Sequence, residues 1–443
     1  MPKRLFGTDG VRGVAGTFLS ADLALALARA AVQRVARHTA GDGPVRALVI
    51  RDTRESGEML ESAVAAGIAA AGGEALLGGV LPTPAAPLLM SRYELDLGVV
   101  LSASHNPYED NGIKFFGADG DKLSDAVEDE IERALGEPEP PGSIGRIRRL
   151  HGGLEDYLRA LHTRFAGLSL GGLDVVLDCA NGATYQAGPE IFRRLGAQVT
   201  PIAHQPDGRN INADSGSTHV GALAERVRGG GHAVGFAFDG DGDRVLAVDR
   251  TGEVVDGDEL IALAAPHLRE RGRLPGDGVA VTVMTNHGFS MAMEARGIEV
   301  ARTSVGDRYV LEELRRRGWS LGGEQSGHII ELGFAPSGDG IAAALLTLEA
   351  LGGTDLAERQ AMEKLPQRLV NVRVSDRAAL EASADVRRAI AREKAALEGR
   401  GRVLVRPSGT EPLVRVMVEA PTEDEARDVC DRLAQTVERT VGR

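Results

Sequence analysis

Apolar and polar residues follow a pattern that occurs three times along the chain. In each copy a short apolar run ends in an Asp- or Asn-rich turn, a helical stretch follows, and a glycine leads into a second apolar run. This succession is typical of βαβ units, in which a crossover helix joins two parallel strands. The first strands of the copies are predicted at residues 45–50, 173–178 and 278–283. The pattern predicts an α/β fold with three related α/β domains and mixed, mainly parallel sheets.

Each copy continues into another apolar run that ends in a loop rich in polar side chains. These runs are predicted as strands at 97–101, 233–238 and 319–321. The loops after them are Ser102–Pro107, Asp239–Arg244 and Gly322–His328. Because open α/β sheets bind ligands at the carboxyl ends of their strands, we expect the three loops to face one shared cleft.

The C-terminal residues follow a different pattern. Strands are predicted at 369–374, 403–405 and 413–418, with helices at 377–397 and after Thr422, where Glu425 completes the spacing of a capping box. This β-α-β-β-α order predicts a smaller α+β domain. The Pro- and Gly-rich stretch 136–145 reads as a linker, and further boundaries are expected near 251–256 and 365–369. The predicted domains are therefore 1–150, 151–252, 253–366 and 367–443.

Composition limits the class of protein. The apolar fraction of 43% and the charged fraction of 26% are those of a soluble globular protein. A net charge of −13 argues against a nucleic-acid or anionic-membrane partner, because either needs a basic surface. Cys179 and Cys430 are predicted to be buried free thiols in a reducing cytoplasm. Neither a signal peptide nor a membrane span is recognisable, so a cytoplasmic location is expected.

The most informative motif is Asp239-Gly240-Asp241-Gly242-Asp243-Arg244. Three carboxylates at alternate positions repel one another unless a cation lies among them, and hard oxygen ligands favour Mg²⁺. An EF-hand is excluded because its sixth and twelfth positions would be Arg244 and Arg250. The alternative is a solvated acidic turn. The motif predicts a magnesium site at Asp239, Asp241 and Asp243.

The loop after strand 97–101 contains two candidate nucleophiles, Ser102 and Ser104. His105 follows directly, and Lys114 lies ten residues after Ser104. The alternative is an Asn-Pro turn whose hydroxyls bond their own backbone. The residues of this loop alone do not choose between the two serines.

Three further motifs carry polar groups suited to a phosphate or a polyol, and the first two have a purely structural alternative. Arg406, Ser408, Gly409, Thr410 and Arg415 offer hydroxyls, backbone N–H groups and guanidinium forks to a phosphate, unless this is an ordinary hairpin with solvated arginines. Glu324, Ser326 and His328 suit a polyol, unless they form a structural polar turn. Arg12, in a Gly-rich loop, is a weaker candidate for a phosphate clamp.

Together these groups favour phosphoryl transfer, in which positioning and charge neutralisation supply most of the catalysis. The chain has no Walker-A sequence and no kinase Gly-rich loop with its lysine. A phosphate carried on a serine of the enzyme would remove the need for a nucleotide.

Five stretches resemble the α-D-phosphohexomutase superfamily and occur in its order: FGTDGVRG (6–13), SASHNPYEDNGIKFF (102–116), DGDGDR (239–244), GEQSGH (323–328) and RPSGTEPLVRVMVE (406–419). The resemblance covers nearly the whole chain and implies four domains around a cleft. It implies the interconversion of glucosamine 6-phosphate and glucosamine 1-phosphate through glucosamine 1,6-bisphosphate, on the route to peptidoglycan precursors. It further implies one Mg²⁺ per chain and a small phosphosugar as substrate, and a homodimer is possible.

The resemblance also implies roles for individual residues. Ser104 matches the phosphoserine, and together with Asp239, Asp241 and Asp243 it matches the Mg²⁺ ligands. The residues matched to positions around the transferring phosphate are Arg12, His105, Lys114 and Arg244. Among these Lys114 is the more plausible proton shuttle, because arginine scarcely deprotonates. The residues matched to sugar binding are Glu324, Ser326 and His328, and those matched to the distal phosphate are Arg406, Ser408, Gly409, Thr410 and Arg415. The alternatives are a phosphomannomutase or phosphoglucomutase, and a non-catalytic sugar-phosphate-binding homologue.

Overall fold

The computed structural model describes residues 5–7, 9–35, 43–135, 143–374, 383–407 and 413–441. Contacts divide the chain into two compact units. The larger contains Met1–Val283 with Ala301–Arg359, and the smaller contains Met284–Val300 with Gln360–Arg443. Within the described ranges, no helix combines the length and the apolar character that a membrane crossing requires.

The first sheet contains six strands, which are β1 (Val11–Val14), β2 (Arg46–Arg51), β3 (Glu74–Val80), β4 (Leu97–Leu101), β5 (Asp110–Gly117) and β6 (Arg146–Arg149). They lie in the order β1-β5-β4-β2-β3-β6. Strand β4 is buried at every position, which fits its uninterrupted apolar sequence. The helices of this part are α1 (Ala21–Val35), α2 (Gly57–Ala70), α3 (Ala85–Tyr93) and α4 (Asp125–Ala134).

The second sheet contains five strands, which are β7 (Asp174–Asp178), β8 (Gln198–Ile202), β9 (Val234–Phe238), β10 (Val245–Asp249) and β11 (Val254–Val255). Their order is β11-β10-β9-β7-β8. Its helices are α5 (Gly153–Arg164), α6 (Thr184–Arg194) and α7 (Gly221–Gly230). Strand β9 is again buried at every position.

The third sheet contains four strands, which are β12 (Gly278–Thr282), β13 (Glu299–Thr303), β14 (Leu321–Gly323) and β15 (Ile329–Glu331). Their order is β13-β12-β14-β15. The helices in this part of the chain are α8 (Gly257–Glu270), α9 (His287–Ala295), α10 (Asp307–Arg317) and α11 (Gly340–Leu351).

The three sheets share one plan around the strand that precedes each polar loop. This strand pairs in parallel with the first strand of its copy, as β4 does with β2, β9 with β7 and β14 with β12. It then pairs antiparallel with the strand that follows it, as β4 does with β5, β9 with β10 and β14 with β15. Each polar loop is therefore the connection of a hairpin at the carboxyl end of a buried strand. The prediction of three related α/β parts with mixed sheets is confirmed.

Helix α11 contacts the acidic loop, Asp239–Arg244, through its first residue. Its residues Gly340–Leu348 are buried, and Asp339 caps its N-terminus by accepting a hydrogen bond from Ala342 N at 2.9 Å. Gly340 N donates to Gly242 O at 2.9 Å. A Cβ on Gly340 would lie 2.4 Å from Arg244 O, so only glycine permits this close approach.

The smaller unit contains a three-stranded antiparallel sheet and helices that cover it. Its strands are β16 (Gln367–Arg373), β17 (Arg402–Pro407) and β18 (Leu413–Glu419), in the order β16-β18-β17. Its C-terminal helices are α12 (Ala384–Ala396) and α13 (Glu423–Val441). Alternate residues of β18 pack on buried residues of α13, among them Cys430. The predicted α+β order is confirmed, although residues 377–382 of the predicted helix lie outside the described residues. Both cysteines are buried and free, as predicted.

Candidate active site

Ser104 lies in the loop between β4 and β5 with its side chain turned toward the acidic loop. Its φ of 51° belongs to the left-handed region, which residues other than glycine rarely adopt. The hydroxyl donates a hydrogen bond to Asp239 Oδ2 at 2.6 Å, and the residue is 2% exposed. An unusual backbone conformation therefore places a candidate nucleophile against a carboxylate.

Ser102 occupies a different environment two residues earlier. Its hydroxyl donates to Asp52 Oδ2 at 2.5 Å and accepts from Ser104 N at 3.0 Å. Ser104 is among the residues that line the neighbouring cleft, whereas Ser102 is not. The geometry favours Ser104 over Ser102 as the group that meets a substrate.

The acidic loop after β9 brings three buried carboxylates together. Oxygen atoms of Asp239, Asp241 and Asp243 all lie within 4.8 Å of one another. Asp241 Oδ1 and Asp243 Oδ1 are buried and have no hydrogen-bond partner among the described residues. Burial, with the neighbouring charges of Asp243 and Asp241, raises the pKa of Asp239 well above its usual range. Orphaned carboxylate oxygens around one point fit a hard divalent cation such as Mg²⁺.

Lys114, on β5, is the cation that balances part of this charge. Its Nζ lies 2.8 Å from Asp241 Oδ2 and 3.1 Å from Asp9 Oδ2, and the residue is 1% exposed. Burial alone would lower the pKa of Lys114, but the charges of Asp241 and Asp9 outweigh it and raise that pKa. Lys114 is therefore held as an ammonium, which suits neutralisation of charge, and the raised pKa makes it a weaker acid.

A cleft of about 720 Å³ opens beside Ser104 and is lined by five of the other predicted residues. Its lining includes Arg12, His105, Arg244, Glu324 and His328. Arg244 Nη1 lies 3.4 Å from His105 Nδ1. Burial and the cations of Arg244 and Arg12 lower the pKa of His105. Two guanidinium groups beside the serine form a suitable surface for a phosphate.

The loop between β14 and β15 contributes unevenly to the cleft. Glu324 accepts a hydrogen bond from Gly306 N at 3.0 Å, and His328 Nε2 lies 3.7 Å from Asp307 Oδ2. Both side chains are largely buried, whereas Ser326 is exposed and does not line the cleft. The structure thus brings two of the three predicted sugar-binding residues to the cleft.

The predicted distal phosphate site is only partly described. Arg406 and Arg415 are directly opposite each other on β17 and β18. Arg406 Nη2 donates a hydrogen bond to Met284 Sδ at 3.6 Å. Ser408, Gly409 and Thr410 lie outside the described residues. Two arginines side by side repel each other, and a bound anion would relieve that repulsion.

Sequence reasoning missed the ion pairs that surround these groups. Lys122 Nζ lies 2.5 Å from both Asp9 Oδ1 and Asp307 Oδ2. Asp9 also pairs with Arg12 three residues later. The role of Asp9 could have been predicted, because it lies in the same motif as Arg12. The sequence around Lys122 and Asp307 contains no motif that would have indicated their ion pair.

Four segments of the chain match the domains of phosphoglucomutase/phosphomannomutase proteins. The matches are to α/β/α domain I over residues 3–140, domain II over 155–252, domain III over 256–369 and the C-terminal domain over 369–436. Together they span most of the sequence. The chain therefore belongs to the phosphoglucomutase/phosphomannomutase family.

The chain is also similar along its whole length to proteins named phosphoglucosamine mutase. A phosphoglucosamine mutase from Parafrankia sp. is 51% identical over 467 residues, and the match covers 99% of both chains. A phosphoglucosamine mutase from Pelotomaculum thermopropionicum is 50% identical over 443 residues and 98% of each chain.

Solved structures share the fold at lower identity. A phosphoglucomutase/phosphomannomutase family protein from Burkholderia thailandensis has a TM-score of 0.85 at 23% identity, over 99% of this chain and 97% of that one. The N-acetylphosphoglucosamine mutase of Aspergillus fumigatus, solved with GlcNAc-6P and magnesium, has a TM-score of 0.62 at 18% identity. That match covers 99% of this chain and 96% of the Aspergillus chain.

Proposed function

We propose that this chain is a phosphosugar mutase of the isomerase class that interconverts glucosamine 6-phosphate and glucosamine 1-phosphate. The observation that carries the proposal is the 2.6 Å contact between the Ser104 hydroxyl and Asp239, within a buried group of three carboxylates at the edge of a cleft. The names of the half-identical relatives support glucosamine as the sugar. A phosphomannomutase or phosphoglucomutase, with the same chemistry and another sugar, is the second candidate.

In the proposed reaction Ser104 carries the phosphate between turnovers. The sugar's free hydroxyl attacks the phosphorus of the phosphoserine, the bond from phosphorus to Ser104 Oγ breaks, Ser104 Oγ takes up a proton, and the proton of the attacking hydroxyl is released to a base. The sugar then carries two phosphates and reorients. Ser104 Oγ attacks the phosphorus of the other group, loses its proton to the base and recovers a phosphate, while the released sugar oxygen takes up a proton. Each half-reaction transfers one phosphoryl group, and the cycle consumes no nucleotide.

The predicted site residues have separate roles in this proposal. Arg12, Arg244 and His105 hold the oxygens of the phosphate at Ser104. Lys114 is the proposed proton shuttle. Its two carboxylate partners keep it charged before a substrate enters, so it donates a proton to the leaving oxygen first and takes up the proton of the attacking hydroxyl afterwards. Glu324 and His328, which line the cleft, bind the sugar hydroxyls together with Ser326 of the same loop. Arg406 and Arg415 with residues 408–410 hold the phosphate that is not reacting.

Asp239, Asp241, Asp243 and the Ser104 oxygen would hold one Mg²⁺, which when bound neutralises charge on the transferring phosphoryl group. Asp239 would also hold the Ser104 hydroxyl in place, and the 2.6 Å hydrogen bond between them supports this. We also propose that the enzyme is cytoplasmic and that it forms a homodimer. Light scattering on the purified protein tests the homodimer.

Intact mass and turnover of the Ser104→Ala variant test the central claim. The wild-type chain is expected to carry a phosphate in part of the molecules, and the variant none, with turnover reduced by at least about 10³-fold. Ser169→Ala is the matched control, because Ser169 is exposed and lies outside the cleft. Near-normal turnover of Ser104→Ala would overturn the mechanism.

A second experiment addresses the substrate. The ratio kcat/KM is measured for glucosamine, glucose and mannose 6-phosphates with the same enzyme preparation. The largest value for glucosamine 6-phosphate is expected. A larger value for mannose or glucose would favour the second candidate, and tight binding of all three without turnover in Mg²⁺ would indicate a non-catalytic sugar-phosphate-binding protein.

A further inference from the structure

We infer that Arg54 and Asn212 are positioning residues for the loop that carries Ser104. Both side chains donate hydrogen bonds to backbone carbonyl groups of this loop, and they come from different parts of the chain. The inference rests on the proposed role of Ser104 as the phosphate carrier. It adds two residues that none of the recognised motifs contains.

Arg54 holds the loop from the first sheet. Its Nη2 donates to Ser104 O and Asn106 O, both at 2.9 Å, and its Nη1 donates to Pro107 O. The guanidinium is fully buried, and Nε donates to Asp52 Oδ2 at 2.8 Å. A buried cation requires a partner for nearly every N–H group, so the three carbonyls and Asp52 are bound firmly to it.

Asp52 connects Arg54 to Ser102, the other serine of the loop. Its Oδ2 also accepts the hydroxyl of Ser102 at 2.5 Å, and Ser102 Oγ accepts from Ser104 N at 3.0 Å. The backbone of Ser104 is thus held at its N–H through Ser102 and at its carbonyl through Arg54. This double attachment accounts for a non-glycine residue at a φ of 51°.

Asn212 holds the same loop from the chain that follows β8. Its Nδ2 donates to Ser104 O at 2.9 Å and to Asn106 O at 3.0 Å, and its backbone N donates to Ala180 O at 2.9 Å. Ala180 lies two residues after the end of β7, in the sheet that carries the acidic loop. Asn212 therefore joins the serine loop to the sheet of the proposed Mg²⁺ ligands.

The acidic loop packs against the same carbonyl group. A Cβ on Gly240 would lie 2.6 Å from Ser104 O and 2.7 Å from Asn212 Nδ2. The carbonyl of Ser104 is therefore surrounded by Arg54, Asn212 and Gly240. Neither Arg54 nor Asn212 is among the described residues that line the cleft. Their effect on the reaction must pass through the position of Ser104 Oγ, and a displacement of about 1 Å at a reacting atom can lower the rate about 10²-fold.

The test uses Asn212→Asp and Asn212→Ala, with Asn210→Ala as the matched control. Asn212→Asp keeps the shape but presents oxygen atoms to two carbonyl groups, whereas Asn210 bonds only within its own exposed loop through its side chain. Measurements are kcat, KM, and the fraction of phosphoserine lost to water for each transfer to sugar. Circular dichroism at the assay temperature shows whether each variant is folded. Arg54→Lys is a second variant at this loop, because it keeps the positive charge and loses the planar guanidinium group that bonds several carbonyls at once.

We expect kcat of Asn212→Asp to fall about 10- to 100-fold with KM changed less than about threefold, and a larger share of phosphate to pass to water. Asn210→Ala should stay within about twofold of the wild type. A folded Asn212→Asp enzyme with wild-type kcat and wild-type partition to water would overturn the inference, as would a rise in KM alone. A loss of activity that matches only the unfolded fraction would also overturn it. The proposed function fails separately, if wild-type protein shows no phosphoserine and no mutase turnover.

Discussion

Replacing Tyr157 by phenylalanine removes the hydroxyl that bonds Asp339, the buried residue that caps the helix in contact with the acidic loop. Tyr157, on α5, donates to both carboxylate oxygens of Asp339, at 3.0 and 2.9 Å. Asp339 caps α11, the helix whose first N–H bonds Gly242 O. Since Tyr157 is 0% and Asp339 3% exposed, water cannot replace the lost donor without a rearrangement.

The size of the effect follows from the charge on Asp339. A hydrogen bond to a charged group contributes about 1.5–3 kcal/mol to the free energy of unfolding, and one to a neutral group about 0.5–1.5 kcal/mol. At neutral pH the variant should therefore lose about 1.5–3 kcal/mol. At about 2 °C per kcal/mol, the thermal midpoint should fall by about 3–6 °C.

The same contact predicts a dependence on pH. Burial raises the pKa of Asp339 to about 6, although hydrogen bonds from Ala342 and Tyr157 oppose this. In the unfolded chain the carboxyl titrates near 4, so between about pH 4 and pH 6 the folded state retains a proton that the unfolded state has lost. The stability contributed by this group is present at low pH and is lost as the pH rises through that range. At pH 7 its ionisation costs the folded state about 3 kcal/mol, because one pKa unit corresponds to about 1.4 kcal/mol.

Thermal unfolding of wild type and Tyr157→Phe, followed by circular dichroism at about pH 5 and about pH 7.5, measures both effects. The variant should lose more stability at the higher pH, where Asp339 is ionised. Tyr93→Phe is the control, because the Tyr93 hydroxyl bonds Asp156 in a partly exposed position. An equal loss at both pH values, or a loss no larger than that of Tyr93→Phe, would refute the reasoning.

Three further predictions concern the site. Gly240→Ala should lower turnover about 10²-fold, because the new Cβ would lie 2.6 Å from Ser104 O. Gly229→Ala should have no such effect, since a Cβ there would meet no atom within 4 Å apart from its chain neighbours and the backbone of its own helix; steady-state kinetics compare the two variants. Removal of divalent metal with EDTA should abolish turnover, and Mg²⁺ should restore it more fully than Ca²⁺; unchanged turnover in EDTA would contradict a metal site at the three carboxylates. Arg406→Gln should raise KM for the phosphosugar about 10-fold or more, and an unchanged KM would remove Arg406 from phosphate binding.

Much of the fold could be predicted because its signals are local in sequence. An uninterrupted apolar run such as 97–101 is buried on both faces wherever it lies, and the polar residues that follow must then be at the end of a strand. Two of the three predicted loops begin where the sequence places them, and the third begins two residues later, because β14 continues to Gly323. The strand after each polar loop pairs antiparallel with the strand before it, and this pairing was not predicted. The residues of β5, β10 and β15 alternate too little between apolar and polar to show which neighbouring strand they pair with.

Parts of the site could not be predicted because they depend on contacts between distant residues. Asn212 lies 108 positions from Ser104, in a stretch with other Asn and Asp residues that reads as an ordinary loop. Lys114 was expected near the reacting phosphate, but nothing local shows that it pairs with Asp241, which is 127 positions away. The left-handed backbone of Ser104 is likewise imposed by its surroundings and not by its own type.

The shared plan of the three sheets has a consequence for divergence. Each polar loop joins two strands whose register is set by pairing along their length, so a loop can change in composition while its sheet stays intact. In the proposed function, the loop at 324–328 binds the sugar and belongs to a different hairpin from the loops at 102–107 and 239–244, which would transfer the phosphate. On such a scaffold a new substrate would need changes in one hairpin, within the limit that Gly327 O accepts a hydrogen bond from Val245 N, directly after the acidic loop.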